Sequence, residues 1–286
     1  MKKYLVLAFI SVMVCSLISP AFAAPEWVAL TKGAASKTPT MKLVPTRDNS
    51  VKIIEITVPG FYSETKRAGE NDATFVTTDL SSRHMQKGMP EIPTMKNFIM
   101  LKEGEEVSAK IISEDWAEVK MKKAAAPSKG HLTRNVNPEE VNFEYSDFYN
   151  TKSTFPGMDN KVVMSEPFVM RDVRGVELTV NPFQYDNAKK TMLVAKKMRV
   201  ELKFNSGRSA AAKKAVPYEF AEIYKTAFIN FNPTDVIERI ELGNVLIIAA
   251  DQFAEETAPL VEWKTKQGFG VKFAKMSEVG TTADNV

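Results

Sequence analysis

The sequence predicts a mainly β protein, an antiparallel β-sandwich followed by an incomplete α/β segment. Three observations carry this. Between residues 51 and 205, short β-branched runs are cut by regular Gly, Pro and Asn turn signals, the pattern of an antiparallel sandwich. From residue 244 the pattern becomes one continuous apolar run, then a helical stretch, then a second strand, which is how a parallel β-α-β unit opens. Finally, the 286 residues contain 1 cysteine, Cys15, so the core must come from the 44% hydrophobic residues and not from cross-links.

The chain opens with Lys2 and Lys3, an uncharged run over residues 4–19, and Pro20 followed by Ala21, Phe22 and Ala23. A basic end, an apolar stretch and a small-x-small tripeptide are what a signal peptidase reads. Residues 1–23 are therefore a secretory signal peptide, cut between Ala23 and Ala24. The alternative is a membrane anchor, but the run is short for a span and no basic stop-transfer cluster follows. Val14 precedes Cys15 where a lipoprotein needs a small residue. The product is expected to be extracellular, periplasmic or on the cell surface, with no membrane span after signal removal. Without Cys15 it has no thiolate nucleophile, no disulfide scaffold and no zinc–thiolate site. The 2 histidines cannot make a three-His metal centre, and no metal ligand set is visible. The balance of 38 Lys and Arg against 35 Asp and Glu gives no broad field for nucleic acid.

Residues 24–50 are polar and rich in Thr, Pro and Lys, a mobile lead-in. The sandwich is expected over 51–205. In 51–58, Val51 and Ile53 take one face and Ile54, Ile56 and Val58 the other, until Pro59-Gly60 stops the strand. Strands at 74–78, 97–101, 107–113 and 116–121 follow, separated by turns such as Glu103-Gly104. Residues 122–140 interrupt them. Lys122, Lys123, Lys129, His131 and Arg134 sit among Ala, Pro, Ser and Gly, which reads as an exposed basic loop. Strands resume at 161–165, 168–173 and 176–181, where Val176, Leu178 and Val180 alternate until Pro182. After a turn at 186–189 come strands at 192–195 and 198–204. In the second, Met198, Val200, Leu202 and Phe204 oppose Arg199, Glu201 and Lys203, giving one buried and one wet face.

Residues 206–242 read as a linker and connecting segment, small, polar and basic around Arg208 and Lys214, then aromatic at Tyr218, Phe220, Tyr224, Phe228 and Phe231. The α/β segment spans 243–286. Its strand at 244–250 is of the kind buried on both faces, and its helix is expected from about residue 258 to 267. Thr257 would be the N-cap, Pro259 would sit in the first turn and Gly268 at the C′ position. Roughly forty residues cannot bury such a sheet alone, so the segment is expected to be the truncated start of a larger domain.

Three blocks stand out. The first is GMPEIP at 88–93, leading to the 97–101 strand and Lys102-Glu103-Gly104. The second runs from Arg174-Gly175 through Val180-Asn181-Pro182-Phe183-Gln184-Tyr185 into the strands at 192–204. The third is NVLIIAADQF with APLVEWKTKQGFGVKFAKMSEVG, including Trp263-Lys264 and Gly268. In this order behind a signal peptide, over about residues 45–286, they resemble precursors of the gingipain-type cysteine peptidases. The first two blocks resemble the propeptide, a β-sandwich that inhibits and helps fold the enzyme behind it. The third resembles the first strand, helix and second strand of a caspase-like catalytic domain.

The resemblance implies a secreted cysteine endopeptidase whose thiolate attacks the peptide bond while an imidazole shuttles the proton. Its implied partners are the sandwich's own catalytic domain and, for the parent enzyme, protein substrates. No cofactor is visible; calcium is an expectation for the full-length relative. The family's catalytic His and Cys are expected beyond residue 286, so no catalytic residue is assigned, and this chain alone is expected to be inactive. The alternative is a non-catalytic exported β-sandwich that binds a protein or carbohydrate partner.

Several residues then have two readings. Lys123, Lys129 or Arg134 could lie across the active-site cleft if the mature enzyme prefers Lys or Arg; otherwise the loop is merely solvated. Cleavage after Arg208 or Lys214 would free the catalytic domain; otherwise the segment is an uncut linker. Asp251 lies past the C-terminal end of a parallel strand, where α/β sheets gather ligands, or simply caps a helix entry. Ser81-Ser82 near His84 has no nucleophile elbow, and neither His84 nor His131 matches a catalytic motif. The prolines of 88–93 fix φ and forbid a central ladder there, so they steer the chain into the next strand.

Overall fold

The computed structural model describes residues 24–280 except 49, 80, 172, 206–213, 234–235 and 240–242. In chain order the strands are β1 (Glu26–Ala29), β2 (Thr40–Val44), β3 (Val51–Thr57), β4 (Gly60–Ala68), β5 (Asn71–Thr77), β6 (Ser82–Arg83) and β7 (Pro93–Leu101). Then come β8 (Glu106–Lys120), β9 (Thr154–Phe155), β10 (Val162–Met164), β11 (Phe168–Met170), β12 (Val173–Val180), β13 (Phe183–Asp186) and β14 (Thr191–Asn205). Next are β15 (Lys214–Pro217), α1 (Tyr218–Ala227), β16 (Val236–Arg239), β17 (Asn244–Ala249), α2 (Ala254–Lys266), β18 (Gly270–Lys275) and α3 (Met276–Val279). Two compact units result. The first holds the described residues up to Asn205 and takes back Ala227–Asn230; the second holds those of 214–226 and 231–280.

The first unit is an antiparallel sandwich. One sheet runs β2-β3-β14-β13-β9 with β8 also on β14, a second runs β10-β12-β7-β6 with β11 on β12, and a third runs β1-β4-β5. Their inward residues form one core: Ile54 and Ile56 of β3, Phe61 of β4, Ile99 of β7, Leu178 of β12, and Met198, Val200 and Leu202 of β14 are all fully buried. These are the faces that alternation predicts for β3, β12 and β14.

The long partners β8 and β14 differ from expectation in length. Each was expected as two strands, and each is one continuous strand of 15 residues. The apparent breaks are bulges, where the ladder skips Lys196 of β14 and Ile112 of β8. A bulge keeps the strand going while inserting one residue. Residues 24–50, read as a lead-in, contribute β1 and β2, which pair with β4 and β3. Strand β4 was not foreseen, because Gly60 reads as a stop. Here Gly60 lies in the ladder opposite Ala29, with the Trp27 ring and Val28 carbonyl where a Cβ would be. Glycine inside a strand marks this kind of close approach.

In the second unit, β15 and β16 pair in parallel across α1, within the segment read as a connector. Strands β17 and β18 also pair in parallel, and α2 packs against both. Helix α2 begins four residues before the expected start, with Pro259 inside it. Thr257 is therefore not its N-cap; its hydroxyl donates back to Ala254 O at 2.9 Å from within the first turn. The C-terminus is as expected. Gly268 has φ +90°, its N–H donates to Thr265 O at 2.9 Å, and the Phe269 N–H donates to Lys264 O at 3.2 Å, a Schellman closure.

Candidate functional site

The basic loop grows out of a buried stem. Ala125 and Ala126 are fully buried, and Ser128 nearly so. Thr74 of β5 holds this stretch from one side, its N–H donating to Ala124 O at 2.8 Å and its carbonyl accepting from the Ala126 N–H at 2.9 Å. Residues 88–91 hold the other side. Glu91 N–H donates to Ala126 O at 2.8 Å, Ser128 N–H to Met89 O at 2.8 Å, and Gly88 N–H to Ser128 O at 2.9 Å. Small side chains are needed because two backbones close in. At Gly88, φ is +78° and a Cβ would stand 3.2 Å from the Ser146 nitrogen and Cβ, so both conformation and space demand glycine. The 88–93 motif is thus a structural seam that delivers the chain into β7.

Beyond the stem, Lys129 turns inward. Its Nζ donates to Pro138 O at 2.6 Å and lies 4.3 Å from the centroid of the Phe143 ring, which meets Phe75 edge-on. The returning strand of the loop is also fixed. Lys87 pairs with Glu144 at 2.7 Å, and the Tyr149 hydroxyl donates to Ala125 O at 2.9 Å, with burial pushing its phenol well above the usual range. Arg134 is exposed in a turn closed by the Val136 N–H on Thr133 O at 3.0 Å. Lys123 is exposed at the stem, 4.0 Å from Asp72, and His131 is exposed too. The loop is therefore only partly the solvated segment its composition suggests. The clue was the run of small residues from Ala124 to Ser128, which suits close backbone packing as well as it suits solvent.

His84 belongs to a polar knot. Its Nε2 lies 3.0 Å from Asn181 Oδ1, which also accepts from the Thr94 hydroxyl at 2.7 Å, while the Asn181 amide donates to Asn160 O. The imidazole meets Phe155 edge-on, and burial holds it below its ordinary basicity. The Ser81 hydroxyl is engaged with Thr78 rather than with His84. The knot joins β6, β7 and the β12 end, and it is structural. Asp251 accepts from the Ser277 N–H at 3.2 Å, and the Ser277 hydroxyl and amide hold its carboxyl below the usual range. It makes no cap to α2, the helix that follows it; its carboxylate instead meets the first turn of α3.

Ala23 and Arg208 lie outside the described residues; Ala24 is the first described residue, and Lys214 opens β15 opposite Val236. Among the described residues no group of three or more His, Cys, Asp or Glu could hold a metal ion. No described helix is long and apolar enough to cross a membrane.

The described chain is thus a β-sandwich with a stem-anchored basic loop, followed by a parallel β-α-β segment. Residues 32–237 match Propeptide_C25, and the chain belongs to that family; it is a gingipain-type propeptide precursor. The match continues past Arg208 and Lys214 and takes in α1 and Ala227–Asn230. The chain is similar to Gingipain R1 of Porphyromonas gingivalis, 25% identical over 91% of this chain and 26% of the relative. It is similar to Gingipain R2 of the same organism, 29% identical over 64% of this chain and 25% of the relative. It thus spans about a quarter of the length of these curated relatives. Among solved structures, the complex of Porphyromonas gingivalis RgpB pro- and mature domains shares the fold, with a TM-score of 0.58 and 24% identity over 68% of this chain and all of that one. A structure on the zymogenic latency of gingipain K from the same organism follows at 0.54, with 17% identity over 64% of this chain and all of that one. Membership in a propeptide family favours the precursor over a free-standing binding module.

Proposed function

We propose that this chain is the front part of an exported cysteine endopeptidase precursor, in which the β-sandwich keeps the peptidase latent and assists its folding. One observation carries the reading: the propeptide-family match falls on a sandwich that presents a basic loop from a fixed stem. Residues 1–23 serve as the export signal, cut between Ala23 and Ala24. The peptidase behind the sandwich cleaves protein substrates with a thiolate and an imidazole, neither supplied by this chain. Arg134 is the side chain assigned to the enzyme's specificity pocket, because Lys129 is engaged by Phe143 and Pro138, and Lys123 belongs to the stem. Separation of the parts is assigned to cleavage after Arg208 or Lys214, in a small, polar and basic stretch of the kind where nicking concentrates.

The test adds the chain in trans to the mature peptidase of its precursor. The unaltered chain inhibits; Arg134→Ala weakens inhibition by about tenfold or more, and Lys123→Ala changes it little. Unchanged inhibition by Arg134→Ala removes the loop from the reading, and no inhibition by the unaltered chain removes the latency role. N-terminal sequencing of the secreted product checks both cleavage points.

A further inference from the structure

Strand β7 has two edges. One pairs with β12 from Met95 to Leu101; the other takes the two residues of β6 at Pro93 and Thr94. Further along that second edge lie four residues from far down the chain, Ala227–Asn230. They belong to the first unit, although the residues on either side belong to the second. Phe228 bridges Phe98 in parallel, and the Ile229 N–H donates to Phe98 O at 3.0 Å. Asn230 closes the seat with its carboxamide, accepting from the Met100 N–H at 2.7 Å and donating to Met100 O at 2.9 Å. The Phe228 ring is 1% exposed and stacks on Phe168 at 6.3 Å, with Phe98 at 6.0 Å. Gly175 of β12 makes the room, since a Cβ there would come within 2.6 Å of the Phe228 ring.

Phe98, Met100, Phe168 and Gly175 all precede residue 206, and the segment they hold follows residue 213. We propose that Phe98, Met100, Phe168 and Gly175 form a latch for Ala227–Asn230, which keeps the C-terminal part of the chain on the sandwich without the covalent path through 206–213. A cut in that path breaks the backbone and leaves the pieces joined; separation requires drawing Phe228 from its seat. The recognition is strand addition with an aromatic anchor: backbone bonds supply attachment, while the buried ring and the Asn230 carboxamide supply selectivity. The latch stands whether or not the natural cut falls at Arg208.

The test replaces residues 206–213 of the chain with the recognition sequence of a site-specific protease, cuts to completion and follows the pieces by gel filtration. The unaltered pieces co-elute. Phe228→Ala weakens their association by on the order of a hundredfold or more, so they separate at micromolar concentration. Asn230→Ala, which keeps the ring, weakens it by about tenfold. Circular dichroism of each uncut variant reports whether the sandwich has formed. Unaltered pieces that part on cutting overturn the latch, as do Phe228→Ala pieces that stay together as tightly. Should Phe228→Ala fail to fold, Asn230→Ala decides, and unchanged association overturns the proposal.

Discussion

The two units use apolar residues in opposite ways. In the sandwich, Ile54, Leu178, Val200 and Leu202 are fully buried. In the β-α-β segment, Leu246, Leu260 and Trp263 keep 51%, 44% and 52% of their surface exposed. From composition the second should be the drier, since β17 is a continuous apolar run and β14 alternates with charge from Lys197 to Lys203. Layers account for the difference. Strand β14 has partners on both edges and lines a core shared with the other sheets, so alternation is enough. Strand β17 has β18 as its sheet partner and α2 against it, and Leu246 stays wet. A strand's composition states what it could bury, and only a stacked layer buries it.

The sharpest way to break that comparison is a pair of truncations followed by urea denaturation. Leu178→Ala should destabilise the sandwich by about 2–5 kcal/mol, because a fully buried leucine leaves a cavity. Leu246→Ala should cost less than about 1 kcal/mol, since half its surface is already in water. Equal losses would end the distinction. Next in size is Asn181→Ala, which takes a partner from His84, from the buried Thr94 hydroxyl and from the Asn160 carbonyl, leaving Thr94 with Val180 O alone. It should lower the unfolding free energy of the sandwich by about 1–3 kcal/mol. Gly88→Ala should cost about 1–2 kcal/mol from its left-handed backbone alone, with added crowding against Ser146, read as a lower melting temperature.

The smallest effect is a pH dependence. Burial holds His84 below the ordinary imidazole value of 6.5, against the pull of Asn181, with Lys96 adding to the depression. The unfolded chain therefore takes up this proton first as the pH falls. The contribution is complete above 6.5 and is lost as the pH drops from there toward the depressed folded value. His84→Gln should flatten that decline in melting curves taken between about pH 8 and about pH 5.

Local alternation made much of the sandwich legible. Ile54 and Ile56 of β3, with Val58 just past its end, could be assigned to one face from sequence because a strand's period is written in adjacent residues. Non-local approach was not legible. Gly60 reads as a breaker until β1 is seen lying against it. The charged breaks near Asp115 and Lys197 face each other across one ladder, where Lys196 pairs with Asp115 at 2.9 Å, so they mark an irregularity and not an end. The candidate site divides in the same way. The charge of the loop was visible at Lys123, Lys129 and Arg134. The stem was hidden, because Thr74 and Met89 reach it from distant stretches. Phe228 was recognisable as a residue that must pack, with nothing nearby in sequence to name Phe98 and Phe168 as its neighbours.

The stem has a consequence for binding entropy. A loop free in solution must be ordered at the moment of contact, at about 0.5–1.5 kcal/mol for each immobilised flexible side chain. With its roots hydrogen-bonded to Thr74 and Met89 and Lys129 already packed on Phe143, the segment after the stem has met much of that cost during folding. In the latency role proposed above it would meet the peptidase as a preorganised ligand, its affinity set partly by residues that touch no partner. Loosening the seam at Gly88 should shorten the lifetime of a complex while leaving every side chain at the tip unchanged.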